Sequence, residues 1–176
     1  MSKKVELINE MVQARLNGGQ KIVMGIDPGS HLMGYGFVGA APGRDPSNVA
    51  HGTIQCSTDY FPERMAIIFD DCKQLIKTFK PCALGIERNF IAKNPVMTIN
   101  ILQCRAMAVL AAQHSGIPVY EYYPTSIKAY ISHGKAIKAE MQQAIKDLLT
   151  LEYIPKPDDA ADALCIAYYT FMNNII

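Results

Sequence analysis

Apolar and polar positions switch between two periods along this chain, and the switches mark its elements. Residues 3–17 place Val5, Ile8, Met11 or Val12, and Leu16 at helical spacing among charged neighbours, until Gly18-Gly19 ends the pattern. The spacing predicts an amphipathic helix packed on the domain or on a partner. Residues 21–27 are a short apolar run fitting a buried strand. Pro28-Gly29-Ser30 turns the chain, and residues 34–38 return as a second strand. Residues 41–48 read as a loop and residues 49–56 as a third strand, completing an antiparallel meander. Helical period follows at 61–79, where Phe61, Met65, Ile68, Cys72, Ile76 and Phe79 share a face and Pro62 suits the first turn. A fourth strand is expected at 81–87, a long helix from Pro95 to His114, and a fifth strand at 117–122. Further helices are expected at 124–131, 138–149 and 158–172. The order predicts an α/β fold: a mixed five-stranded sheet, antiparallel and then parallel, with helices on its faces.

The helix 95–114 is apolar around most of its girth, which suits burial inside a domain or across a subunit interface. No apolar run approaches the roughly 18–20 residues that span a bilayer. The opening MSKKVELINEM lacks the uninterrupted apolar core of a secretory signal. The expectation is a soluble, cytoplasmic protein of 176 residues, long enough for one core. Five cysteines, odd in number and scattered, suit free thiols rather than a zinc site or a disulfide framework. A formal net charge of +1 does not advertise nucleic-acid binding. It does not exclude it either, because acids neutralised by a metal leave the basic residues to meet phosphate.

The acids carry the chemistry. Asp27 ends the first strand, Glu87 ends the fourth, and Asp158, Asp159 and Asp162 open the last helix. Sites in open sheets form at such strand ends. Asp159 and Asp162 are three apart and can point together, and Asp158 competes for the same role. Each acid alone has an ordinary explanation as a helix cap or turn residue. Together they would repel unless a cation held them, and oxygen ligands without Cys or His favour Mg²⁺ or Mn²⁺.

At this point the motifs resemble a known family. Gly25-Ile26-Asp27-Pro28-Gly29-Ser30 with Gly34-Tyr35-Gly36 resembles the opening motif of RuvC Holliday-junction resolvases. Residues 86–94, from Ile86-Glu87-Arg88-Asn89-Phe90 to Lys93-Asn94, resemble their second motif, and Asp159-Ala160-Ala161-Asp162-Ala163-Leu164 their closing helix. The resemblance covers about residues 21–172. It implies a ribonuclease-H-like fold and a homodimer that nicks two opposed strands of a four-way DNA junction, leaving 5′-phosphate and 3′-hydroxyl ends. Carried over by position, Asp27, Glu87, Asp159 and Asp162 would bind two Mg²⁺ ions, with Mn²⁺ able to substitute, and Lys138 would assist catalysis. Lys128 matches another basic position, and Phe90 an aromatic that inserts at the junction centre. Arg88, Lys93, Arg105 and Lys135 are further candidates for phosphate contact, with a structural ion pair within the long helix as the other reading of Arg105. A branch-migration motor complex is the partner the resemblance suggests.

Residues 1–20 read as a helical extension and residues 21–176 as the nuclease domain. Many relatives run past the last helix with a basic tail, so junction affinity is expected to differ here. Two other readings compete. One is a different ribonuclease-H-like nuclease acting on branched DNA or RNA. The other is a non-catalytic junction-binding dimer, against which the full set of acids argues.

Overall fold

The computed structural model describes residues 3–88 and 95–175, with side chains from residue 7 onward. The chain runs α1 (Lys3–Asn17), β1 (Lys21–Asp27), β2 (Leu32–Ala40), β3 (Ser47–Gln55), α2 (Phe61–Phe79), β4 (Ala83–Glu87) and α3 (Pro95–His114). It continues through β5 (Val119–Tyr122), α4 (Pro124–Ile131), α5 (Lys138–Leu148) and α6 (Asp158–Asn174). The strands form one sheet in the order β3-β2-β1-β4-β5. β1, β2 and β3 pair antiparallel, while β1, β4 and β5 pair parallel. The mixed sheet expected from the pattern is therefore present, with β1 at its centre.

Strand alternation sorts side chains between two cores. Ile22, Met24 and Ile26 of β1 and Leu84 and Ile86 of β4 face α1, α2 and α3, where they meet Val12, Ile68, Cys72 and Phe79. Phe37 stacks on Phe79 there, with ring centroids 4.3 Å apart. Val23 and Ala83 face the other way, into a core closed by α4, α5 and α6. Four of the five cysteines are buried and all are free, as their scattered placement predicts.

The differences from expectation have local causes. β3 begins at Ser47, inside the predicted loop, because a bulge between Phe37 and Val38 lets Ser47 pair with Gly39. β4 starts two residues later than read, since Pro81 cannot donate to a ladder. β5 likewise starts at Val119, although the Pro118 carbonyl still accepts from Leu84 N at 2.9 Å. α3 departs most. By length and composition it is apolar enough to cross a membrane, contrary to the sequence reading. Here it buries one side (Thr98, Cys104, Ala108, Ala111, Ala112) and carries Arg105 in an ion pair, so it serves as a layer of the domain. Its other side leaves Val96, Ile99, Leu102 and Leu110 exposed.

Candidate active site

The site follows from the same alternation. On β1, Val23, Gly25 and Asp27 point toward α6, and on β4 so do Ala83, Gly85 and Glu87. The last residue of each strand thus presents a carboxylate on one face of the sheet, at one end. Gly25, Gly34, Gly36 and Gly85 make the floor beneath α6. A Cβ at Gly25 would run into the backbone of Ala163 and Ala167, at Gly34 into the Asp159 carbonyl, and at Gly85 into the Thr170 hydroxyl. Lacking side chains, these positions let α6 lie almost backbone to backbone on the sheet. That approach carries Asp159 and Asp162 to the end of β1, where Asp27 pairs with Gly34.

A cleft of about 340 Å³ opens there. Asp27, Glu87, Asp162, Lys128 and Lys138 supply its polar wall, and Ile127, Met141, Cys165 and Ile166 its apolar one. Asp159 lies outside the cleft lining but close enough for its charge to bear on Asp27 and Asp162. Asp158 turns toward Lys156, whose Nζ donates to it at 2.8 Å and holds its carboxyl below the usual range. Of the three acids opening α6, Asp162 is the one that enters the cleft.

The electrostatics are those of acids short of a counter-charge. Burial pushes the Asp27 carboxyl well above its ordinary value, and the Asp162, Glu87 and Asp159 carboxylates push it further, against the pull of Lys138. Burial raises Glu87 as well, helped by Asp162 and opposed by Lys128. Burial also raises Asp162, against the pull of Lys138. Lys138 sits in the first turn of α5, where the helix dipole disfavours a cation. It is held there by Asp162 at 3.4 Å and Asp158 at 3.6 Å. Burial alone would lower its amine, and the neighbouring Asp162, Asp158 and Asp159 carboxylates reverse that. A residue placed against local preference and tied to the cleft is what a functional site produces.

The donor set fits a hard divalent cation. Every candidate ligand is a carboxylate, the nearest thiol (Cys165) is protonated by burial, and three of the acids are raised by burial first and by neighbouring carboxylates second. Among the described residues no three acids, imidazoles or thiols stand close enough together to hold a metal ion, and Lys138 lies 3.4 Å from Asp162.

The remaining basic candidates divide. Lys128 lines the cleft, whereas Lys135 is exposed in the α4–α5 connection and lies outside the lining. Arg88 is exposed at the rim, paired with Glu121 at 3.2 Å and donating to the Tyr123 hydroxyl at 3.1 Å. Phe90 and Lys93 lie outside the described residues. Arg105 turns inward rather than toward solvent. Its Nε donates to the Glu87 carbonyl at 2.9 Å, and Nη2 lies 3.1 Å from Glu121. Glu121 was missed in the sequence. Its register opposite Ile86 put it on the α3 side of the sheet, which is the available signal.

A carboxylate-lined cleft where β1 and β4 end, roofed by a C-terminal helix on a 3-2-1-4-5 sheet, defines a nuclease of the ribonuclease-H-like class. The sequence model of the crossover junction endodeoxyribonuclease RuvC family matches residues 23–169. The RuvC enzyme of Pseudothermotoga lettingae is 39% identical over 149 residues, covering 84% of this chain and 91% of the relative. That of Shewanella amazonensis is 40% identical, covering 83% and 84% respectively. The Thermus thermophilus RuvC structure superposes with a TM-score of 0.76 at 29% identity, over 86% of this chain and 96% of that one. A second T. thermophilus structure, in complex with Holliday junction substrate, gives a TM-score of 0.76 at 26% identity, over 87% and 96%. The chain belongs to the crossover junction endodeoxyribonuclease RuvC family and is an endodeoxyribonuclease.

Proposed function

We propose that this protein resolves four-way DNA junctions by paired, symmetric nicking in recombination and repair, using Asp27, Glu87, Asp159 and Asp162 to hold Mg²⁺. The observation that carries the assignment of residues is the meeting of Asp27, Glu87, Asp162 and Lys138 in one cleft of a RuvC-family chain. Two metal ions per site, replaceable by Mn²⁺, would activate water and stabilise the leaving 3′-oxygen. Asp27 and Glu87, fixed at strand ends, hold the acid side of the cleft rigid, and Asp162 closes it from α6. Lys138 and Lys128 face these acids and offset charge that builds on the phosphate. Lys138, now paired with Asp162 and Asp158, would turn to the phosphate when those pairs are relieved. Arg88, exposed at the rim, and the exposed Lys135 add to the DNA-binding surface, and Phe90 and Lys93 are assigned to it by the resemblance alone.

Paired cuts need two sites. The exposed apolar side of α3 (Val96, Ile99, Leu102, Leu110) suits the interface of a homodimer. Residues 21–176 act as the nuclease domain, and residues 1–20 as an extension whose helix α1 packs on α2. Acting on chromosomal junctions, the protein would work in the cytoplasm alongside a branch-migration motor.

The test is cleavage of a labelled four-way junction with Mg²⁺, comparing wild type with Asp27→Asn and Glu87→Gln. Symmetric paired nicks by the wild type, lost in both variants with junction binding retained, are expected. Equal cutting of junctions, forks and RNA–DNA hybrids would instead indicate a broader nuclease.

A further inference from the structure

Glu87 is the last residue of β4, and the sheet does not complete its backbone hydrogen bonding. The Arg88 N–H donates to the Tyr122 carbonyl of β5 at 2.8 Å. The Glu87 carbonyl, on the same peptide unit, therefore points away from β5, toward the β1 side. There the β1–β4 pairing has already ended at Ile26 and Ile86. The carbonyl is left without a strand partner at the point where its own side chain enters the cleft. Arg105 of α3 supplies the missing donor through Nε at 2.9 Å.

Nothing about Arg105 suits a solvated surface cation. Its side chain is 15% exposed, and Nη2 is buried without a hydrogen bond of good geometry although it lies 3.1 Å from the Glu121 carboxylate. Among the described residues the guanidinium donates to the Glu87 carbonyl and lies against Glu121, which it shares with Arg88, and this holds the peptide in one orientation. We propose that Arg105 is a positioning residue for Glu87: by fixing the Glu87–Arg88 peptide it sets the angle at which the Glu87 carboxylate meets the metal. The inference rests on the proposed metal-binding role of Glu87.

Partners that orient a metal ligand from behind are worth roughly 10–100-fold in metal affinity or activity. Arg105→Met keeps the stem and removes the donors. Glu121→Gln removes the ion pair and leaves the Arg105–Glu87 hydrogen bond in place. The full-length variants would be compared by Mn²⁺ binding without DNA, followed by electron paramagnetic resonance, by the Mg²⁺ dependence of single-turnover junction cleavage, and by junction binding in EDTA. Expected for Arg105→Met are about tenfold weaker Mn²⁺ binding and an about tenfold higher Mg²⁺ requirement, with junction binding unchanged. Glu121→Gln is expected to stay near wild type in the metal readouts. Arg105→Lys, which retains one donor, is expected to recover part of the loss, and Arg105→Leu serves as the test if Arg105→Met fails to fold. Wild-type Mn²⁺ affinity in folded Arg105→Met or Arg105→Leu would overturn the proposal. So would equal metal defects in Glu121→Gln and Arg105→Met, which would make the arginine a stabilising ion pair only. If the wild type binds Mn²⁺ but cuts no junction, the function assigned above fails, while the metal arm still decides the role of Arg105.

Discussion

The distance between α6 and the sheet sets the spacing of the carboxylates, and Gly36→Ala tests that relation at its mildest point. A Cβ on Gly36 would lie 2.8 Å from Leu164 N and 2.9 Å from its Cα. Ordinary van der Waals contact begins near 3.4 Å, so α6 must retreat by about 0.6 Å at Leu164. Leu164 follows Asp162 by two residues, and the retreat pulls the Asp162 carboxylate away from Asp27 by a similar amount. Overpacking of this size costs about 1–3 kcal/mol, which lowers Tm by roughly 2–12 °C in a domain of this length. Displacements approaching 1 Å in a catalytic constellation cost up to about 100-fold, so a loss of about tenfold or more in single-turnover cleavage is expected at saturating junction. Thermal melts by circular dichroism and cleavage per folded molecule, at several Mg²⁺ concentrations, provide the readout. A variant with a lowered Tm and wild-type cleavage per folded molecule would refute the claim that helix–sheet distance controls the site.

Two further outcomes follow from the cleft and from α3. In metal-free protein the raised carboxyls of Asp27, Glu87 and Asp162 make the folded state bind more protons than the unfolded chain. Their contribution is fully present below the ordinary carboxylate range near pH 4 and is lost as pH rises through the raised native values. Asp27→Asn is therefore expected to stabilise metal-free protein at pH 7 by roughly 1–2 kcal/mol and by less at pH 4, read as Tm in EDTA; a gain independent of pH would contradict it. Ile99→Glu, on the exposed side of α3, is expected to shift the protein from dimer to monomer at micromolar concentration in sedimentation equilibrium. A wild type that is already monomeric there would remove α3 as the interface.

Much of the fold was legible because burial leaves a plain signature, on both faces of β1 and along one face of α2. The run from Ile22 to Ile26 and the stripe from Phe61 to Phe79 each became the expected element. The start of β3 was not legible, because the bulge after Phe37 is a pairing event and Ser47-Asn48 has loop composition. α3 shows a different limit. Its side chains are apolar nearly all round, and composition alone does not say which half the core covers. Asp27, Glu87 and Asp162 were readable as strand-end and helix-start acids and do meet in the cleft; spacing alone left Asp158 competing, the resemblance already favoured Asp162, and the structure shows Lys156 taking Asp158. Arg105 read as a DNA contact or a helix ion pair, and the Glu87 carbonyl it satisfies is a backbone vacancy that no side-chain pattern records.

The presence of Lys128 and Lys138 among the acids has a consequence for when the cleft can receive DNA. Asp27, Glu87, Asp159 and Asp162 bring four formal negative charges, and the two lysines return two positive ones. The metal-free cleft is thus net negative, and a phosphodiester approaching it meets like charge. Two divalent cations held there, as proposed, would reverse that sign. By reciprocity, a bound phosphate would then strengthen the hold on the cations by the same factor that they strengthen the hold on it. A duplex meeting the metal-free cleft would be repelled by the very residues proposed to cut it, and the scissile phosphate would enter the cleft together with the ions while the rest of the junction is held outside it.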